Sequence, residues 1–175
     1  MKEKLMGIIP LIVALMFVVG IGAFSGPSYA ATATQTVTVT VPEAISIQVP
    51  DVNFGSVAAG STGTSPSFTI SNTGNVKIDL YVRANASAFT SPTATDTIGI
   101  ENFSIFSNVT GSYLTFLTSS QKIYDNMNKA QQGTGNPATW STTLRLIVPS
   151  FTEDGVYTIT NIYTAVKHNG AAPSP

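Results

Sequence analysis

The stretch NTGNVKIDLYV, residues 72–82, opens as a turn and continues as an alternation. Asn72, Thr73, Gly74 and Asn75 have reverse-turn chemistry, with Gly74 free to take a positive φ. From there Val76, Ile78, Leu80 and Val82 fall on one side of an extended chain. Lys77, Asp79 and Tyr81 fall on the other. A period of two marks a half-buried strand, whereas an amphipathic helix needs apolar residues three and four apart. The stretch therefore predicts a strand with Val76, Ile78, Leu80 and Val82 facing in and Lys77, Asp79 and Tyr81 facing out.

The same period recurs on both sides. Residues 44–49 place Ile45, Ile47 and Val49 on one face, and residues 67–71 form a short strand. Residues 101–106 and 112–117 are strand candidates around an Asn-Val-Thr-Gly turn. In 140–148, Trp140, Thr142, Leu144, Leu146 and Val148 share one row. Residues 156–166 change phase: Tyr157 and Ile159 share a face, while Ile162, Thr164 and Val166 belong to the other. A bulge near Thr160-Asn161 would reconcile them. Residues 84–99, small and polar, read as a surface loop. Residues 119–133 read either as a helix, capped by Ser120 and ended by Gly133, or as a short strand followed by a loop. About eight or nine short strands separated by turn signals predict an all-β fold, a jelly-roll or immunoglobulin-like β-sandwich. The sandwich is expected over 44–168, followed by a flexible tail at 169–175, within a stretch KHNGAAPSP that frays.

Composition narrows the function classes. Only 10% of the 175 residues are charged, against about 25% in ordinary soluble domains. Polarity comes from 24 Thr and 18 Ser, residues that suit pleated surfaces and turns. A formal net charge of −1 gives no electrostatic case for nucleic acid. Cysteine is absent, which excludes disulfides, thiolate metal sites and thiol catalysis.

Residues 1–30 have the marks of a cleaved signal peptide. Lys2 and Lys4 precede an apolar run over 8–24, and SGPSYA places Ser28 and Ala30 at the small-residue positions before a cut at Ala31. A second cut is available after Ala33. Two rivals are weaker. A retained anchor would be at the short limit for a membrane span and lacks a basic cluster after Phe24. A pilin-type leader cut at Gly7 would need a long helix that Ser25-Gly26-Pro27 breaks. The expected location is extracellular, with the membrane involved only during export.

No constellation for catalysis is present. The single histidine, His168, lies in the tail, and no metalloprotease, hydrolase or phosphate-loop motif occurs. Glu153-Asp154 reads as a solvated turn, short of the oxygen ligands that calcium needs. The expectation is a non-enzyme with no metal, no cofactor and no small-molecule substrate. Three sequons, at Asn85, Asn102 and Asn108, are candidate N-glycosylation sites.

The start of the exported chain, ATATQTVTVTV, is the most regular strand pattern of all. Ala33, Gln35, Val37, Val39 and Val41 form one row, and Thr32 to Thr40 the other. Pro42 cannot begin the primed turn of a tight hairpin to the next strand. Two arrangements remain: the strand crosses to another sheet of its own domain, or it completes a groove in a neighbouring subunit.

The stretch VNFGSVAAGSTGTSPSFTISNTGNVKIDLYVRA, with the later LRLIVPSFTEDGVYTITNIYTAV, resembles the archaeal bundling pilins, related to the TasA/camelysin family of biofilm-matrix fibre proteins. The likeness rests on the order F-G-x-V, N-T-G-N and P-x-x-x-x-D-G-x-Y-T. It implies a secreted sandwich that polymerises head to tail with identical subunits by donor-strand complementation, the filaments bundling laterally into a pilus or matrix fibre. It also implies that residues 31–43 are donor strand and linker, with Ala33, Gln35, Val37, Val39 and Val41 as the donor row. Metalloprotease activity described for camelysins is not carried over, because no ligand set supports it. The alternative is a monomeric secreted adhesin or envelope-associated binding module, with the first strand folded into its own sandwich.

Overall fold

The computed structural model describes residues 32–131 and 138–174. The leader, the cut before Ala31 and the end of the 119–133 stretch lie outside them. The chain divides into a unit of residues 1–40 and a unit of residues 41–175. In the first, the described residues 32–40 form no strand and are exposed throughout.

The second unit is an all-β sandwich. Its strands, in chain order, are β1 (Ile47–Gln48), β2 (Thr62–Thr64), β3 (Phe68–Asn72), β4 (Ile78–Ala84), β5 (Ala88–Phe89) and β6 (Ile98–Gly99). A 3-10 turn, Ile100–Asn102, precedes β7 (Phe103–Ser107), β8 (Ser112–Thr115), β9 (Gln121–Met127), β10 (Ala138–Thr142), β11 (Leu144–Ile147) and β12 (Asn161–Lys167). Among the described residues, twelve strands replace the expected eight or nine chiefly because β1, β2, β5 and β6 are pieces of two or three residues. All pairings are antiparallel, in the orders β1-β3-β10, β2-β11-β7-β8 and β12-β4-β9, with β5-β6 as a separate hairpin.

One core serves all four sheets. Phe68 and Ile70 of β3, the alternate residues Ile78, Leu80, Val82 and Ala84 of β4, Phe103 and Ile105 of β7, and Leu144 and Leu146 of β11 are buried together. Aromatic packing fixes its centre: Phe103 stacks on Phe116 at 4.3 Å between ring centroids and takes Phe89 edge-on at 4.9 Å. Phe89 and Ile98 lie in the stretch read as a surface loop, which corrects that reading. Its two apolar residues close into a short hairpin whose side chains fill the core, and small polar residues form only the connections.

Of the two readings of 119–133, the strand holds: residues 121–127 are strand, not helix, because β4 offers Ile123 and Met127 a core-facing ladder to join. Two further expectations change. The row from Trp140 to Val148 belongs to two strands in two sheets. The chain crosses at Thr143 while the row keeps its phase, and hydrogen bonds on either side hold the crossing. Thr142 Oγ1 donates to the Phe106 carbonyl at 2.7 Å, and the Leu144 N–H donates to Ser65 Oγ at 2.9 Å. The phase change in 156–166 does not occur either. Tyr157, Ile159, Tyr163 and Ala165 all pack against the core, and Ile162, Thr164 and Val166 form the opposite face of β12. No bulge is needed, since both faces of this strand are half-covered.

Candidate functional site

Residues 32–41, which carry the row expected to be a donor, pair with no strand among the described residues. Val37 and Val39 are each 83% exposed and Val41 is 72% exposed; Ala33 and Gln35 are exposed as well.

The base of the arm is held firmly. Asn75 donates from Nδ2 to the Pro42 carbonyl at 2.9 Å and accepts at Oδ1 from the Ala44 N–H at 2.7 Å. Its own N–H donates to the Ala44 carbonyl, and the Thr73 N–H donates to that of Ser46. Lys167 forms a salt bridge with Glu43. Asn72, fully buried, donates to the Val76 and Asn128 carbonyls and accepts from the Gly74 N–H. The turn 72–75 is thus a clamp on residues 42–46. Gly74 is required there by close approach and not by a positive φ, which it does not adopt. A Cβ on it would lie 2.3 Å from the Ala44 carbonyl oxygen. A shallow depression of about 340 Å³ beside the clamp is lined by Ala44, Ser46, Thr73, Gly74, Asn75, Ala130 and Gln131, none of them ionisable.

The strongest titratable cluster was not legible from the sequence. Asp79 lies on the face of β4 expected to meet solvent, yet only 1% of it is exposed. Its Oδ1 accepts from His168 Nδ1 at 2.7 Å and from the Asn126 N–H at 2.9 Å. Its Oδ2 accepts from Lys122 Nζ at 3.0 Å and from the Asn169 N–H at 3.4 Å. A carboxylate only accepts, so the His168 proton is on Nδ1. Burial pushes the Asp79 carboxyl up, but the Asn126 N–H, His168, Lys122 and the Asn169 N–H outweigh it and hold it well below the usual carboxylate range. Hydrogen bonds to Asp125 and then Asp79 raise Lys122. His168 and Asn169 are therefore anchored, contrary to the frayed tail expected from residue 167 onward.

Asp79, Asp125 and His168 bring ligand atoms within 4.8 Å of one another, a metal-like grouping. Lys122 Nζ already sits 3.0 Å from Asp79 and 2.9 Å from Asp125, where a cation would be. Condensation of Lys122 with Asp79 to an amide would need a neutral amine and a protonated acid, and both groups are shifted the opposite way. The arrangement is a hydrogen-bonded, ion-paired tie between β4, β9 and the end of β12.

A second tie joins two loops. Glu153 Oε2 accepts from the Thr95 N–H at 2.6 Å and the Asp96 N–H at 3.3 Å, and Asp96 Oδ2 accepts from the Glu153 N–H at 2.9 Å. The Thr95 and Asp96 N–H groups and the Thr95 hydroxyl hold the Glu153 carboxyl below its ordinary value. Glu153 is thus a cross-loop cap and not a free turn residue. Of the sequons, Asn85 and Asn108 are exposed, one in the bend after β4 and the other in the β7–β8 turn. Asn85 Oδ1 accepts from the Thr160 N–H at 3.2 Å, and the half-buried Asn102 donates to Glu101. Among the described residues no helix is long and apolar enough to cross a membrane. No protein-family model matches the chain, and no curated protein is similar to it in sequence.

Proposed function

We propose that this chain is a structural subunit of an extracellular filament, a bundling pilus or biofilm-matrix fibre, in which residues 32–41 of one copy complete the sheet of the next. One observation carries the reading: an alternating Val/Thr arm, its valines in water, rooted at a clamped base on an all-β domain. Magnitudes allow it. Burying three valines contributes about 5–9 kcal/mol, and each ladder hydrogen bond adds about 0.5–1.5 kcal/mol. Together these can exceed an association cost of about 4–15 kcal/mol. Head-to-tail exchange of one strand leaves unpaired edges only at the filament ends. The chain is read as secreted and non-enzymatic, glycosylated at Asn85 or Asn108 where the host provides the modification.

The test is negative-stain electron microscopy of the exported protein after refolding from denaturant, beside a variant lacking residues 31–41. Filaments of uniform width from the intact protein and discrete particles from the deletion are expected. Single-subunit particles from both would replace this reading with the monomeric adhesin.

A further inference from the structure

Resting on the filament reading, we propose that the acceptor is the outer edge of β12, and that its occupant is the 32–41 segment of a second copy of this chain. The ladder shows which backbone groups are open. The His168 N–H donates to the Lys77 carbonyl and the Asn85 N–H to the Thr160 carbonyl. In an antiparallel register that pairs Asn161 with Ala84 through Lys167 with Ile78, these two bonds turn even-numbered residues toward β4. The N–H and C=O groups of Asn161, Tyr163 and Ala165 therefore point away from it, and no described residue pairs with them.

The other edges suit a strand less well. β1, β2, β5 and β6 have two or three residues each, β8 has four and β10 five, against seven in β12. β9 is as long as β12 but is broken by register shifts and by Asn126 at φ 58°. Its outward Ile123 carbonyl is already taken by the Asn108 N–H and Ser107 Oγ. β12 keeps an unbroken register and carries neither charge nor proline from Asn161 to Val166, so it lacks the usual protections of a free edge.

Its two faces also match the arm. Tyr163 and Ala165 lie half-buried on the core side, where Val37, Val39 and Val41 would extend the apolar layer. Ile162, Thr164 and Val166 lie on the other side, beside which the threonine row would continue the surface. At the head of the edge, Asn161 Oδ1 is buried with no hydrogen-bond donor among the described residues.

Ala165→Pro removes one outward N–H and leaves the β4 ladder intact, since that N–H does not face β4. Filament yield from the exported full-length protein is expected to fall by about tenfold or more, with the circular dichroism spectrum unchanged. The chain has no cysteine, so a second measurement does not depend on that variant folding. Proteins carrying Val37→Cys, Val39→Cys or Val41→Cys are each mixed with protein carrying Ala165→Cys and oxidised. At least one mixture is expected to give a disulfide-linked dimer, and the same donors mixed with a Ser112→Cys protein, on the β8 edge, to give none. Wild-type filament yield from Ala165→Pro, or cross-linking to β8 in place of β12, would move the acceptor elsewhere and leave the filament reading standing. Unmodified protein that stays monomeric, with a link forming inside one chain bearing both cysteines, would overturn both.

Discussion

Gly74 and Phe151 occupy opposite ends of the range of backbone demands. Gly74 is pressed against the Ala44 carbonyl, so a methyl group there must displace the base of the arm. Gly74→Ala is expected to cost about 1–3 kcal/mol, as overpacking does, read as a lower denaturant midpoint with an unchanged slope. An unaltered midpoint would mean that residues 42–46 are not clamped. Phe151 is 96% exposed and sits at φ 67°, a left-handed conformation that costs an L-residue roughly 1–2 kcal/mol. Phe151→Asn tolerates that conformation and removes an apolar ring from water, so a gain of about 0.5–1 kcal/mol is expected. A loss of thermal stability on substitution would show that the ring packs against something in solution. Neither position could be ranked from sequence, because a turn glycine and a loop phenylalanine look alike until their φ values and neighbours are known.

At the scale of elements, β4 is central: Ile78, Leu80, Val82 and Ala84 fill the core, and Asp79 ties the other face to β9 and β12. Its folded-state pKa lies below the unfolded value of 3.8. The stability this contributes is therefore fully present above about pH 4–5 and is lost as pH falls through the folded value. Glu153 has the same sign at the cross-loop cap. Urea midpoints should stay level in this respect from pH 7 to 5 and fall below pH 4. Asp79→Asn leaves its donors without a charged acceptor and is expected to cost about 3–5 kcal/mol at pH 7 while flattening the acid limb. An acid limb as steep in Asp79→Asn as in the parent would assign acid sensitivity to other carboxylates. The alternation of 76–82 was legible, but the burial of its second face was not. A period of two says that the faces differ, not what covers each.

For the whole molecule, the low charge and the Thr- and Ser-rich composition describe a surface that repels its copies weakly. The deletion and edge-blocking experiments above belong to this scale, since polymerisation is a property of many copies. The single chain already contains both halves of the proposed joint: an arm with its valines exposed and an edge with three residues' backbone groups unpaired. Such edges are ordinarily blunted by lysine, proline or a bulge, and β12 has none of these before Lys167.

The sequence alone determined the all-β class, because strand period is a local property of the backbone. The Val/Thr alternation is equally legible, yet residues 32–40 form no strand within the chain, since a strand needs a neighbour to pair with. The sequence also located most of the longer strands, from Phe68–Asn72 to Phe103–Ser107. Tertiary structure decided the rest. Only folding brings His168 to Asp79 across 89 positions, carries the row of Trp140 and Leu146 between two sheets at Thr143, and leaves β12 at an open edge. Those outcomes depend on which strands become neighbours, and strand pairing is fixed by the burial of one shared core, which no local window of residues contains.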